Sequence, residues 1–81
     1  MTEKEIFDKV KEIVKPYAKN TDALENAANE TTFLDDLGIN SARLVDIVID
    51  FEDAFDLEVE DDEADKILIF GDAVSLISKK I

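Results

Sequence analysis

Cysteine, histidine and tryptophan are absent from this chain of 81 residues. Without cysteine there can be no disulfide and no thiolate metal site. Without histidine, the commonest general base and the commonest neutral metal ligand are missing. Proline occurs once and glycine twice, so Pro16, Gly38 and Gly71 are the main backbone punctuation. Cations are scarce: nine Lys and Arg stand against 21 Asp and Glu, a net charge of -12. A chain so charged repels nucleic acid and anionic membrane surfaces, and its protein partners are expected to carry basic patches. No apolar run is long enough to cross a bilayer, so no membrane insertion is expected. The first residues, Met1 to Glu5, lack the basic start and apolar core of a secretion signal. A cytoplasmic monomer is the resulting expectation.

What remains is compatible with one domain over residues 1-81, with 46% hydrophobic residues in regular spacing. Chains of this size bury only about 60% of the surface they expose when unfolded. Ile6, Phe7, Val10, Ile13, Val14 and Tyr17 recur at offsets of three and four, predicting a first helix from residue 3 to about 17 with Thr2 as its cap. Pro16 predicts a bend or an end near Lys15. Asn20-Thr21-Asp22 offers a cap for a short helical turn over residues 23-28. Phe33, Leu34 and Leu37 are expected to anchor the end of this connection in the core.

The stretch from Leu34 to Val48 is a turn feeding an amphipathic helix. Gly38 permits a chain reversal, and Asn40 and Ser41 are both residues that cap helices. The helix is predicted over residues 41-55, with Leu44, Val48, Phe51 and Phe55 as its buried line, Ile47 and Ala54 beside them, and Val45 and Ile49 near the edge. Asp46, Asp50 and Asp53 form an acidic stripe whose mutual repulsion costs a few tenths of a kcal/mol per pair. Leu57 and Val59 read as an extended connector. Asp61 or Asp62 would cap a brief helix ending near Lys66 or Ile67, and the apolar run from Ile67 to Phe70 would form a buried link. Gly71-Asp72 would break the chain and cap a last helix ending in Lys79-Lys80. The expected fold is all-α, a small four-helix bundle of three longer helices and one short helix.

Asp36-Leu37-Gly38-Ile39-Asn40-Ser41-Ala42 resembles the attachment region of the acyl carrier protein family, whose usual form is Asp-Leu-Gly-x-Asp-Ser-Leu before an acidic helix. Phe51-Glu52-Asp53-Ala54-Phe55 and Asp61 to Ile67 also follow the family pattern, and the similarity spans nearly the whole chain. The resemblance implies 4'-phosphopantetheine joined covalently to Ser41, making the chain a phosphoprotein. It also implies a carrier that holds an acyl chain as a thioester and delivers it to partners in fatty-acid, lipid or polyketide-type biosynthesis. The implied partners are a phosphopantetheinyl transferase and acyl-loading and acyl-transfer enzymes with basic patches. Their implied contacts are Asn40, Arg43, Val45, Asp46, Ile49, Asp50, Glu52 and Asp53. Phe33, Leu44, Val48, Phe51, Val59, Ala64, Ile67 and Ala73 match positions that line the family's acyl cavity. Asn40, Ala42 and Arg43 depart from the usual pattern, which predicts a specialised, free-standing carrier for a dedicated pathway.

Two other readings stay open: an aminoacyl or peptidyl carrier, and an acidic helical interaction module that is never modified. Catalysis by the chain itself is not expected, because Ser41 has no histidine to act as its base. No metal site is expected either. Asp56, Glu58 and Glu60 alternate, but the turn glycine of an EF-hand is missing and Ile67 stands at the twelfth position.

Overall fold

The structure, a computed structural model, describes all residues from Met1 to Ile81. Five helices follow one another: α1 (Glu3–Val14), α2 (Thr21–Glu25), α3 (Leu44–Phe55), α4 (Asp61–Ala64) and α5 (Phe70–Lys80). Three are long and two are short; the first short one, α2, is the helical turn expected over residues 23-28, begun two residues earlier. α1 packs against both α3 and α5.

Both ends of α1 follow from chemistry visible in the sequence. Glu5 N–H donates to Thr2 Oγ1 at 3.2 Å, and Thr2 N–H donates to Glu5 Oε1 at 2.9 Å, a reciprocal capping box. The α-helix stops at Val14, and Lys15–Tyr17 tighten into a 3-10 turn around Pro16. Asn20 caps α2 by accepting from Ala23 N–H at 3.1 Å. α3 ends at Phe55, and the φ of 53° at Asp56 turns the backbone left-handed after it, a conformation that aspartate tolerates better than most side chains.

The core joins Ile6, Val10 and Val14 of α1 to Ile47, Val48, Phe51 and Phe55 of α3 and Phe70, Ala73, Val74 and Ile77 of α5. Phe70 lies at its centre, with ring centroids 5.0 Å from Phe33 and 5.1 Å from Phe7. Such aromatic pairs add to the stabilisation from area burial alone. No buried side-chain polar atom lacks a hydrogen-bond partner.

Several sequence expectations are corrected. Leu34 is exposed, while its neighbour Phe33 and the unforeseen Ile39 are buried. α4 is capped by Glu60, not Asp61 or Asp62, and ends at Ala64. The link after it is not buried throughout: Ile67 and Phe70 point inward, but Leu68 is 59% exposed. The reason is backbone pairing. Phe33 N–H donates to Leu68 C=O and Phe70 N–H to Thr31 C=O, each at 3.1 Å, with an antiparallel bridge between Thr32 and Ile69. Extended backbone alternates its side chains, so neighbours face opposite ways. α5 then begins at Phe70, and Gly71 lies inside its first turn. A Cβ there would sit 3.2 Å from Asn29 C=O, so glycine is needed for close approach rather than as a break. Asp72 does act at the helix start, its carboxylate accepting from Leu68 N–H at 3.1 Å and Ile69 N–H at 3.3 Å.

Candidate functional site

The turn before α3 is fixed from three directions. Leu37 C=O accepts from Lys19 N–H at 3.0 Å and Asn20 N–H at 3.1 Å, and Ile39 N–H returns to Phe33 C=O at 3.1 Å. Thr32 and Asp36 exchange bonds, with Thr32 N–H donating to Asp36 Oδ2 at 2.9 Å and Asp36 N–H to Thr32 Oγ1 at 2.8 Å. Leu37 and Ile39 are buried on either side of Gly38. Gly38 has a φ of 69°, which a residue with a Cβ adopts only with strain. These restraints fix the backbone that leads to Ser41.

Asn40 and Ser41 divide their roles differently from the sequence expectation. Asn40 is the cap: its Oδ1 accepts from Ala42 N–H at 2.9 Å, and its C=O accepts from Arg43 N–H at 2.8 Å. Ser41 opens the 3-10 turn Ser41–Arg43, which runs directly into α3. Ser41 is exposed, and its hydroxyl takes part in none of the fold's side-chain hydrogen bonds. The Ala42 and Arg43 N–H groups of the turn are already occupied by Asn40.

Along α3 the outward residues divide into free and committed groups. Val45 is 64% exposed and Ile49 48% exposed, further out than the edge position the periodicity suggests. Asp53 is exposed as well. Asp46 pairs with Arg43 at 3.2 Å, an exposed pair of small energetic weight. Asp50 is not a free member of an acidic stripe. It accepts the Tyr17 hydroxyl at 2.7 Å, tying the 3-10 turn after α1 to α3. That bond, followed by desolvation and the nearby negative charges, raises the Tyr17 pKa above its usual value. Glu52 is half-buried and accepts from Val59 N–H at 2.9 Å, so it holds the connector after α3. Sequence spacing could not reveal either bond, because both partners lie in other segments.

Of the positions matched to an acyl cavity, Phe33, Val48, Phe51, Ile67 and Ala73 are buried in the core, and Leu44, Val59 and Ala64 are half-buried against it. They belong to the one packed core that joins the helices. No group of three or more carboxylates is placed to hold a metal ion, and no helix is long and apolar enough to cross a membrane.

A match to the phosphopantetheine attachment site family covers residues 8–67. The chain is 42% identical over 78 residues to an acyl carrier protein of Lactobacillus acidophilus, covering 95% of this chain and 94% of that one. It is also 42% identical over 77 residues to an acyl carrier protein of Thermotoga maritima, covering 95% and 93%. Its fold is similar to the acyl carrier protein of Enterococcus faecalis, with a TM-score of 0.81, 28% identity and both chains covered in full. This chain belongs to the phosphopantetheine-attachment family of acyl carriers, and is a carrier with a covalent 4'-phosphopantetheine rather than an enzyme. The site fits that group: a hydroxyl without an internal partner stands in solvent on a turn whose backbone is fixed.

Proposed function

We propose that the attachment point is Ser41 Oγ and that residues 1-81 act as one acyl-carrier domain. The observation that carries this reading is the free, exposed Ser41 hydroxyl on a turn restrained through Leu37, Ile39 and Asn40. When bound, phosphopantetheine supplies a thiol that holds an acyl chain as a thioester. The chain's own contribution is presentation. Asn40 satisfies the Ala42 and Arg43 N–H groups, Gly38 permits the reversal, and the buried Leu37 and Ile39 keep Ser41 outside. With no histidine available, removal of the Ser41 Oγ proton falls to a phosphopantetheinyl transferase.

The docking face proposed for that enzyme and for acyl-handling enzymes is centred on Val45 and Ile49, with Asn40, Arg43, Asp46 and Asp53 around them. An apolar centre with a charged rim favours rapid, salt-sensitive encounter with a basic surface. Asp50 and Glu52 belong to this face through their free oxygens, because each already accepts an internal bond. The cluster of Phe33, Leu44, Val48, Phe51, Val59, Ala64, Ile67 and Ala73 is the proposed receiving site for an acyl chain, which would enter by separating packed helices. Asn40, Ala42 and Arg43 support service in a dedicated pathway. Cycling by a general fatty-acid enzyme set as efficient as that of a general carrier would remove that last point.

The test is intact-mass measurement after incubation with coenzyme A and a broad transferase. Wild type should gain one phosphopantetheine and Ser41→Ala none. An unchanged wild type under every transferase tried, or a modified Ser41→Ala, would overturn the proposal.

A further inference from the structure

Lys19 and Arg43 come from separate segments and line one cleft, to which Asn40, the residue before Ser41, also contributes, while Ser41 itself stands outside the lining. The cleft, about 450 Å³, is lined by Pro16, Tyr17, Lys19, Asn40 and Arg43. No carboxylate lines it, although acids outnumber bases 21 to nine in the chain. Its walls are held in place. Lys19 N–H donates to Leu37 C=O at 3.0 Å, and the Lys19 Cβ lies 3.4 Å from where a Cβ on Gly38 would stand. Tyr17 is fixed by its 2.7 Å bond to Asp50. Arg43 closes the turn that Ser41 opens. Asp46 engages its Nη1 at 3.2 Å, and a guanidinium has five N–H donors, so several remain for another acceptor.

We propose that this cleft seats the phosphodiester that joins the prosthetic group to Ser41, with Lys19 and Arg43 as its cationic walls. The inference rests on attachment at Ser41. A phosphodiester carries one negative charge, and in a chain of net charge -12 it would otherwise add to the repulsion around Asp35, Asp36 and Asp46. Placing it against two cations offsets part of that repulsion through charge-assisted hydrogen bonds, although Asp46 already pairs with Arg43 and Asp50 with Tyr17. Because both cations are exposed, the contact weakens as salt screens it. Lys19 and Arg43 are thus positioning residues for the base of the attached group.

The experiment compares unmodified and modified forms of wild type and of a Lys19→Gln/Arg43→Gln double variant, with modification confirmed by intact mass. Comparison within each protein cancels the loss of the Arg43–Asp46 pair. At low salt, modified wild type should melt roughly 2–4 °C above its unmodified form. The double variant should lose that gain, and so should wild type at about 0.5 M salt. Lys19→Arg/Arg43→Lys should keep it. The phosphorus resonance of modified wild type should move with salt, and that of the double variant should not. If the double variant resists modification, Lys19→Gln alone carries the same comparison. Equal melting gains in wild type and variant, with coincident phosphorus signals, would overturn the cleft assignment. A wild type that gains no mass would overturn the Ser41 reading itself, a separate and distinguishable failure.

Discussion

α3 and α5 have nearly the same length, 12 and 11 residues, and both pack on α1, yet they treat apolar side chains differently. α5 buries Phe70, Ala73, Val74 and Ile77, half-buries Leu76, and turns Ser75, Ser78 and Lys79 to water. Folding alone accounts for that pattern. α3 buries Ile47, Val48, Phe51 and Phe55 but leaves Val45 and Ile49, one turn apart, in solvent. Fully burying such a side chain contributes about 1.5–3 kcal/mol, which α3 forgoes at two adjacent surface positions. Their neighbours on the same face are acids. The difference suggests that the outer face of α5 answers to solubility, and that of α3 to something outside the molecule.

The sharpest way to break this comparison is one substitution at three isoleucines. Ile77→Ala and Ile47→Ala, both at 1% exposure, should each cost about 2–5 kcal/mol in urea unfolding. That is comparable to the whole stability of a domain this small, roughly 3–5 kcal/mol, so both variants should be largely unfolded. Ile49→Ala should stay within about 0.5 kcal/mol of wild type while slowing its modification by a transferase. A large stability loss at Ile49 would show that the outer face of α3 belongs to the fold after all. Next in size is Gly71→Val, which presses a side chain onto the Asn29 backbone at the start of α5. It should cost about 1–3 kcal/mol, measured the same way, and should leave the Ser41 turn modifiable because the strain lies at the other end of the connection.

The comparison also shows where sequence reasoning succeeds. The buried stripes of α1, α3 and α5 were legible because helical periodicity reports directly on which side faces the core. Pro16 marked the end of α1, and Gly38 marked the reversal before Ser41. What spacing could not report was pairing between distant segments. Leu34 looks like a core residue beside Phe33 until the bridge between Thr32 and Ile69 sets which side chains turn inward. Gly71 looks like a break until Asn29 is found against it. At the site, Asn40 and Ser41 are equivalent as caps in sequence. Only the bonds from Ala42 and Arg43 N–H to Asn40 separate the residue that caps from the one left free. Asp50 and Glu52 read as surface acids because Tyr17 and Val59 lie elsewhere in the chain.

The smallest expected effects are pH dependences at the start of α1 and in the 3-10 turn that follows it, and they have opposite signs. At the start, the Thr2 N–H bond, helped by the Thr2 hydroxyl, holds the Glu5 carboxyl below its ordinary value of about 4.5. A lowered value means the folded state favours the ionised form, so the contribution is present above pH 4.5 and is lost as pH falls through the folded-state value. In the 3-10 turn, Asp50 accepts the Tyr17 hydroxyl and raises its pKa above about 10. Here the folded state favours the protonated form, so the contribution is complete below pH 10 and is lost as pH rises through the folded-state value. Melting curves of wild type against Glu5→Gln should therefore converge on the acid side, and those of wild type against Tyr17→Phe on the alkaline side. Double differences are needed because protonating any carboxylate also relieves repulsion in so acidic a chain, and that general gain cancels between wild type and variant. A Tyr17→Phe gap that closed in acid instead would mean that Asp50, rather than the phenol, controls the link between α1 and α3.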